Sequence, residues 1–311
     1  MTRIRVVSDN DYSGDPDGLF QLAHHLLSSS VDLRLVIGSH LAPGDPWDPS
    51  ELVAANAARL AREVADAAGR PDVRIVAGSE TRVPDRRTPV RSDAALALVD
   101  EAMREDDRPL YVVCGAGLTE LASAWLLEPA IAERLTVVWI GGHEYPGLAT
   151  PPPGAPAVEY NTNIDPVAAQ VVFDSDLRLW QVPRDAYRQA LFSQAELDRR
   201  VRPHGPLGRL LAEHIDRIVA RASEWGRGLG ETYVYGDSPL VLLTALQSSF
   251  EPDASSSSWV TRPAPQVRDD GTFDFAERAG GGGREIRVFH RLDTRLMFED
   301  LFVKLEAHAA R

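Results

Sequence analysis

The sequence predicts an α/β protein built on a doubly wound, mainly parallel sheet, with a helical C-terminal part. Short apolar runs alternate with segments of helical pattern through residues 1–190, and several runs are apolar at nearly every position. Strands buried on both faces of a parallel sheet have that composition, and the alternation is typical of right-handed βαβ units. We expect a single domain over residues 1–311, because no repeat or low-complexity linker interrupts the chain.

Six apolar runs are the expected strands of the first part of the chain, at residues 4–8, 33–38, 73–78, 110–114, 135–141 and 177–182. The helices expected beside them are at 17–27, 50–68, 92–103, 118–127 and 165–173. Residues 193–248 are expected to be mostly helical. A serine run at 255–258 and a glycine run at 280–283 predict mobile loops beside late strands near 259–261 and 285–290. A final helix is expected at 295–309.

Composition excludes several classes of protein. The net charge is −13, with 46 acidic and 33 basic residues and no basic stripe, so nucleic acids and anionic membranes are not expected partners. Cys114 is the single cysteine, which excludes a disulfide framework and a cysteine-based zinc site. No signal-type apolar stretch and no membrane-spanning run is visible, and we expect a cytoplasmic protein.

The most informative segment is an acidic loop at the end of the first strand. Asp9, Asp11, Asp15 and Asp17 fall within nine positions, where the strand gives way to a helix. Ligands bind at that edge of an open α/β sheet. Four acids there repel one another unless a cation lies between them, and hard oxygen donors suit Ca²⁺ better than Mg²⁺.

Three other interpretations of the loop are weaker. An EF-hand needs a bidentate glutamate at the twelfth loop position, where Phe20 stands, and a helix before the loop. A haloacid-dehalogenase-type phosphatase with Asp9 as nucleophile needs a later lysine, and Lys304 in the last helix is the only lysine. The third interpretation is a solvated turn in which aspartates cap the first helix.

Further polar residues follow other expected strands. Glu159 and Asn161 alternate around Tyr160, so in an extended segment both would point the same way and suit a polyhydroxylated ligand. Asp237 precedes an apolar helix and is either a cap or a ligand. His143 follows a strand and is either a proton donor or a polar loop residue. The turn at 115–119 is a poor dinucleotide fingerprint, because Glu120 stands at its third glycine position.

Taken in order, these pieces resemble the inosine–uridine-type nucleoside hydrolases over most of the chain. The segment Asp9-Asn10-Asp11-Tyr12-Ser13-Gly14-Asp15-Pro16-Asp17 is similar to the aspartate loop that opens the family. Gly115-Ala116-Gly117-Leu118-Thr119 resembles its Gly-Pro-Leu-Thr turn, and Gly236-Asp237-Ser238-Pro239 resembles its His-Asp-Pro helix start. The segment from Glu159 to Ala169 matches the family Glu-Phe-Asn segment most closely.

The resemblance implies hydrolysis of the N-glycosidic bond of a ribonucleoside with one Ca²⁺. Its ligands would be Asp11, Asp17, the backbone carbonyl of Thr119, and Asp237. Asp11 would act as general base, with Glu159 and Asn161 holding the ribose and Asp15 or Asp9 assisting. A homodimer or homotetramer is also implied. A binding protein that has lost turnover is the alternative.

Three departures from the family pattern leave roles open. The aspartate loop is one residue longer than in the family. Two assignments are therefore open: Asp17 binds the metal and Asp15 contacts the ribose, or the two residues have the opposite roles. Gly236 stands where many members place a histidine that protonates the leaving base, so His143, Tyr235, Tyr233 or stacking on Trp47 would have to assist. Ser39 stands where the family often has a ribose-contacting asparagine, and the asparagine expected in the loop before Glu159 has no counterpart.

Overall fold

The computed structural model describes residues 3–311 except 225, 227, 249, 252 and 277–283. Within them the strands are β1 (Ile4–Asn10), β2 (Val31–Gly38), β3 (Ile75–Ala77), β4 (Leu110–Cys114), β5 (Leu135–Ile140), β6 (Arg178–Val182), β7 (Leu191–Ser193), β8 (Thr232–Val234), β9 (Ser258–Pro263), β10 (Gln266–Val267), β11 (Phe273–Asp274) and β12 (Glu285–Arg291). The helices are α1 (Asp17–Leu27), α2 (Val53–Ala67), α3 (Asp93–Ala102), α4 (Thr119–Leu127), α5 (Tyr160–Ile164), α6 (Pro166–Asp174), α7 (Arg184–Tyr187), α8 (Gln194–Arg200), α9 (Gly205–Glu224), α10 (Pro239–Leu242) and α11 (Thr294–Ala309).

Eight strands form one sheet in the order β3-β2-β1-β4-β5-β6-β12-β9. All neighbouring strands in it are parallel except β9, which pairs antiparallel with β12 at one edge. The prediction of a mainly parallel α/β sheet is confirmed. Because the first six strands run the same way, the loops that follow β1, β4 and β5 meet at one edge of the sheet.

Two apolar layers cover the sheet, one on each face. Adjacent residues of β1 show the division, since Val6 packs in one layer with α1, α2, α9, α10 and α11, and Val7 packs in the other with α3, α4 and α6. This alternation follows from the two-residue period of a strand. It explains why the central strands are apolar at nearly every position.

Several local predictions need correction. Residues 193–248 are not continuously helical, because β8 pairs antiparallel with β7 in a short separate sheet. Glu159 and Asn161 do not lie in an extended segment: Glu159 caps α5, and Asn161 lies inside that helix. Ser258 of the serine run belongs to β9. The glycine run at 280–283 lies outside the described residues. No helix in the described part of the chain is long and apolar enough to span a bilayer.

Candidate active site

A cavity of about 300 Å³ opens at the carboxyl ends of β1, β4 and β5. Residues from seven separated segments form its wall: Asp11, Asp15, Asp17, Trp47, Gly115, Ile140, Glu159, Tyr160, Asn161, Tyr187, Arg188, Val234, Gly236 and Asp237. Six of the polar residues singled out from the sequence are among them. The fold therefore brings Asp237 and the N-terminal acids to one place, although more than 200 positions separate them in the chain.

The turn after β1 places the acids. The backbone nitrogen of Gly14 donates to the carbonyl of Asp11 at 2.6 Å, and α1 then begins at Asp17. The backbone nitrogen of Asp237 donates to Asp17 Oδ2 at 3.1 Å. Asp15 instead accepts from the Tyr233 hydroxyl at 2.8 Å. Of the two acids whose roles were left open, Asp17 is thus the one in direct contact with Asp237.

The electrostatics of the acids fit a cation. Burial, followed by repulsion from neighbouring carboxylates, raises the pKa of Asp11 and of Asp17 well above the usual range, and burial likewise raises the pKa of Asp237. Among the described residues the ion pairs of arginine and lysine are made with other acids. Uncompensated oxygen donors of this kind are suited to a hard divalent cation.

The carboxylate oxygens of the cavity are suitable ligands for a cation, although they do not form a complete coordination site. In the described part of the chain, no three His, Cys, Asp or Glu side chains are arranged as a finished cation site. The Asp11 carboxylate lines the cavity, and the hydrogen bonds of the described chain give it no donor apart from its own segment. Asp11, Asp17 and Asp237 would therefore be the residues that hold a cation in this cavity.

Glu159 is a fixed negative charge in the wall of the cavity. It is fully buried and accepts from the backbone nitrogens of Gly142, Asn161 and Thr162, from the Thr162 hydroxyl, and from the Tyr187 hydroxyl at 3.0 Å. These five hydrogen bonds hold the carboxylate in one orientation. Such a carboxylate can stabilise positive charge on a neighbouring ligand without changing its own position.

Asn161 offers the cavity an acceptor rather than both groups of its amide. Its nitrogen donates to the carbonyls of Gly115 at 3.1 Å and Ile140 at 2.8 Å. Both N–H groups are thereby used, and the oxygen remains available to accept from a hydroxyl. The amide can therefore accept a hydrogen bond from a ligand but has no N–H group left to donate one.

The ring of Tyr187 packs close to the backbone of Gly236, where there is no side chain. A β-carbon at position 236 would lie 3.2 Å from Asp17 Oδ2 and 3.3 Å from Cδ2 of Tyr187. Of the groups considered for the leaving base, Tyr235 is buried and stacked on Phe192 with ring centroids 3.7 Å apart, so it does not reach the cavity. Trp47 does line the cavity.

Three predicted site residues do not lie on the cavity wall. His143 is buried and stacked on Phe273, with centroids 4.8 Å apart, so the expectation of a proton donor in the cleft is wrong in this structure. Ser39 is buried and its hydroxyl donates to Asp9, so it is not placed to contact a ribose. Thr119 begins α4, and its hydroxyl donates to Asp165 at 2.7 Å.

Asp9 is also unsuited to nucleophilic attack. It is completely buried, and burial raises its pKa to about 8 despite the Ser39 hydrogen bond. A nucleophile must be reachable by substrate and ionised. The phosphatase interpretation loses its central residue, and the EF-hand interpretation fails because β1 precedes the loop where a helix is required.

Sequence reasoning missed Tyr160, Tyr187 and Arg188. The Tyr160 hydroxyl donates to Asp45 at 2.8 Å and so joins α5 to the loop after β2 across the cavity mouth. Tyr187 ends the short helix α7, which has too few residues to show a period, and Arg188 follows it. Tyr160 could have been found from its position between Glu159 and Asn161, whereas no sequence signal marks the other two.

Comparison with known proteins agrees with this geometry. The family model for inosine-uridine preferring nucleoside hydrolase matches residues 9–293. Over 130 residues the chain is 34% identical to an inosine-uridine preferring nucleoside hydrolase of Leishmania major, covering 41% of this chain and 40% of that protein. Over 135 residues it is 29% identical to the pyrimidine-specific ribonucleoside hydrolase RihA of a Shewanella strain, covering 42% and 41%. These matches thus span less than half of each relative.

Solved structures match over nearly the whole chain. The plant nucleoside hydrolase PpNRh1 superposes with a TM-score of 0.75 at 17% identity, covering 98% of this chain and 99% of that one. The inosine-uridine preferring nucleoside hydrolase from Bacillus anthracis gives 0.71 at 15% identity over 98% and 99%. The fold is therefore that of the nucleoside hydrolases. Since the family model covers most of its length, the chain belongs to the inosine-uridine preferring nucleoside hydrolase family.

Proposed function

We propose that this protein hydrolyses the N-glycosidic bond of a ribonucleoside or related riboside, with a calcium ion held by Asp11, Asp17 and Asp237. One observation carries the proposal: carboxylates that lie more than 200 positions apart in the chain line a single cavity together with Glu159 and Asn161. Family membership supports the reaction class, and the oxygen-only donor set supports a hard cation. The carbonyl of Thr119 remains a predicted fourth ligand.

Asp11, Asn161 and Glu159 would have distinct roles in the reaction. A bound divalent cation lowers the pKa of water that it holds. Asp11 accepts the proton of the attacking water on its carboxylate, because that carboxylate faces the cavity and is not engaged by a cationic side chain. Asn161 accepts from a ribose hydroxyl. The Glu159 carboxylate stabilises positive charge that develops on the sugar as the glycosidic bond breaks.

The leaving base would be held at the mouth of the cavity. Trp47 and Arg188 line the cavity, and Arg188 is the one cationic side chain among the described residues of the wall. The Tyr187 and Tyr160 hydroxyls already donate to Glu159 and Asp45. We therefore assign stabilisation of the departing base to Arg188 and Trp47 rather than to a neutral acid of this wall.

Hydrolysis of a panel of ribosides by metal-free and calcium-loaded protein tests the proposal. We expect release of reducing ribose only with calcium, and a fall of about 10²–10⁴-fold in kcat for Asp11→Asn, the range for loss of a general base. Asp66→Asn, a change on the outer face of α2, is the matched control and should keep full activity. Calcium binding and riboside binding without ribose release would instead support the non-catalytic alternative.

Two further expectations stay predictions. The family resemblance implies a homodimer or homotetramer, which light scattering of the purified protein would decide. The cytoplasmic location is likewise a prediction from the sequence.

A further inference from the structure

Asn10 ends β1 directly behind the candidate cation site and is completely buried. Its side-chain nitrogen donates to Asp237 Oδ2 at 2.9 Å and to Gln21 Oε1 at 3.3 Å. Its side-chain oxygen accepts from the backbone nitrogen of Asp11 at 2.8 Å. Both N–H groups and the oxygen are therefore engaged, and one of them contacts a proposed cation ligand directly.

Two glycines leave room for this amide. A β-carbon at position 115 would lie 2.4 Å from Asn10 Nδ2, and one at position 18 would lie 2.9 Å from it. A side chain at either position would displace the amide. The end of β4 and the first turn of α1 thus enclose Asn10 between Gly115 and Gly18, and its position is set by packing as well as by hydrogen bonds.

A buried chain of hydrogen bonds decides which way the amides point. The Thr244 hydroxyl donates to the carbonyl of Leu240 at 2.6 Å, and His25 Nε2 lies 2.9 Å from that hydroxyl oxygen. Burial lowers the pKa of His25 to about 3, so the ring is neutral and carries one hydrogen. Because the hydroxyl has already donated, it accepts from Nε2, and Nδ1 is left as an acceptor.

The position of the hydrogen on the His25 ring determines the orientation of the Gln21 amide. Gln21 Nε2 lies 2.5 Å from His25 Nδ1 and donates to it, which turns Gln21 Oε1 toward Asn10. That oxygen accepts from the Ser8 hydroxyl and from Asn10, both at 3.3 Å, and it would repel the oxygen of a flipped Asn10 amide. The nitrogen of Asn10 is therefore the atom that faces both Gln21 and Asp237, and a flipped amide would set an oxygen against the Asp237 carboxylate.

We propose that Asn10 is a positioning residue, which holds the Asp237 carboxylate in the orientation that binds the cation and is itself oriented by Gln21 and His25. This inference rests on the proposed function, since Asp237 is a cation ligand only within it. Groups that orient metal ligands typically contribute 10–100-fold to metal affinity. The same range is expected here.

Calorimetric titration of calcium chloride into the metal-free full chain tests the direct contact. Asn10→Leu keeps about the same side-chain volume but removes the donor, and we expect calcium affinity to fall about 10–100-fold. Gln21→Met keeps the length of the side chain and leaves Asn10 without its second acceptor, so a smaller loss of affinity is expected. Wild-type affinity in both variants would overturn the inference.

We call the hydrogen bonds that run from His25 through Gln21 to Asn10 the relay. Two neighbouring histidines of α1 provide a matched pair of variants with which to test it. His24 is as buried as His25, but its partner is Asp300 on α11, away from the cavity. We expect His25→Leu and His24→Leu both to lower Tm, and His25→Leu alone to weaken calcium binding. Equal effects of the two changes on calcium affinity would mean that the relay acts only through stability, and would overturn its positioning role.

Crystal structures separate failure of this inference from failure of the proposed function. Wild-type protein that binds no calcium and releases no ribose would overturn the function. The relay would then be judged by comparing wild-type with Gln21→Met. A turned Asn10 amide or a rotated Asp237 carboxylate in the variant would support the relay, and an unchanged pair would overturn it.

Discussion

Two carboxylates in the same cavity differ in the hydrogen bonds that they accept, and this difference suits them to different roles. Glu159 accepts from five donors and is fully buried, so its position is fixed. Asp11 faces the cavity among other acids, which together with burial raises its pKa. A carboxylate with few donors takes up a proton readily. The difference in surroundings, rather than in residue type, suits Glu159 to stabilise charge and Asp11 to accept a proton.

Among the described residues, Tyr187 is the one residue outside α5 whose side chain donates a hydrogen bond to Glu159. We expect Tyr187→Phe to lower kcat/KM for riboside hydrolysis about 10–100-fold, because a hydrogen bond to a charged group contributes about 1.5–3 kcal/mol. Steady-state kinetics measure this effect. Tyr111→Phe, a half-buried position on β4 away from the cavity, should leave the kinetics unchanged, and equal losses in both variants would contradict the assignment.

The sequence could place acids at the cavity but could not assign every side chain a direction. Asp11 and Asp17 follow from the rule that strands of a parallel sheet end at a common edge. Asp237 instead follows β8 of a separate antiparallel sheet, and the family resemblance alone predicted it as a ligand. His143 also follows a strand at that edge, yet its ring turns toward Phe273. Ser39 turns toward Asp9. Such directions depend on packing between segments distant in the chain, which a single sequence does not display.

At the scale of elements, the cavity depends on how α6 begins. Asp165 is fully buried and accepts from the backbone nitrogens of Ala168 and Val83 and from the Thr119 hydroxyl. It therefore caps α6 and joins the starts of α4 and α6 to the segment after β3. One aspartate fixes three segments behind the site.

Asp165→Ala would leave those three donors unpaired in a buried place. We expect the free energy of unfolding to fall by about 3 kcal/mol or more, since a single buried unsatisfied group costs about 1–3 kcal/mol. Urea denaturation followed by circular dichroism measures this change. Asp293→Ala removes the cap of α11, where one backbone nitrogen is involved, and should cost about 1 kcal/mol. Equal losses would mean that Asp165 acts only as an ordinary cap.

Element type was predictable wherever a segment was long enough to show a period. The bounds of α1 and β4 agree with the pattern in the sequence, and most other central elements differ by one to three residues at an end. The helices α5 and α7 span five and four residues, and β8 spans three, so each covers little more than one repeat of its pattern and shows no periodicity. Those short elements carry Tyr160 and Tyr187, which is why part of the site was missed.

At the scale of the whole molecule, the buried acids make stability depend on pH. The pKa of Asp9 is raised from 3.8 to about 8, chiefly by burial, and those of Asp11, Asp17 and Asp237 are also raised. A raised pKa means that the folded state binds more protons than the unfolded state between the two values. The free energy of unfolding must then fall as pH rises through that interval.

We therefore expect metal-free protein to lose stability between about pH 4 and pH 8, as measured by urea unfolding at several pH values. Calcium should reduce the slope, because a bound cation compensates the ionised carboxylates. Asp9→Asn should also flatten it, since the amide cannot ionise. A metal-free protein whose stability rises steadily over this interval would contradict the prediction.

The contact between position 236 and the Tyr187 ring has a consequence for how this protein can evolve. A β-carbon at 236 would lie 3.3 Å from that ring and 3.2 Å from Asp17 Oδ2, so the tyrosine ring must shift by a few tenths of an ångström before a side chain fits there. A smaller residue at 187 would relieve the contact, but it would also remove a donor from Glu159. Substitutions at the two positions are therefore expected to be non-additive.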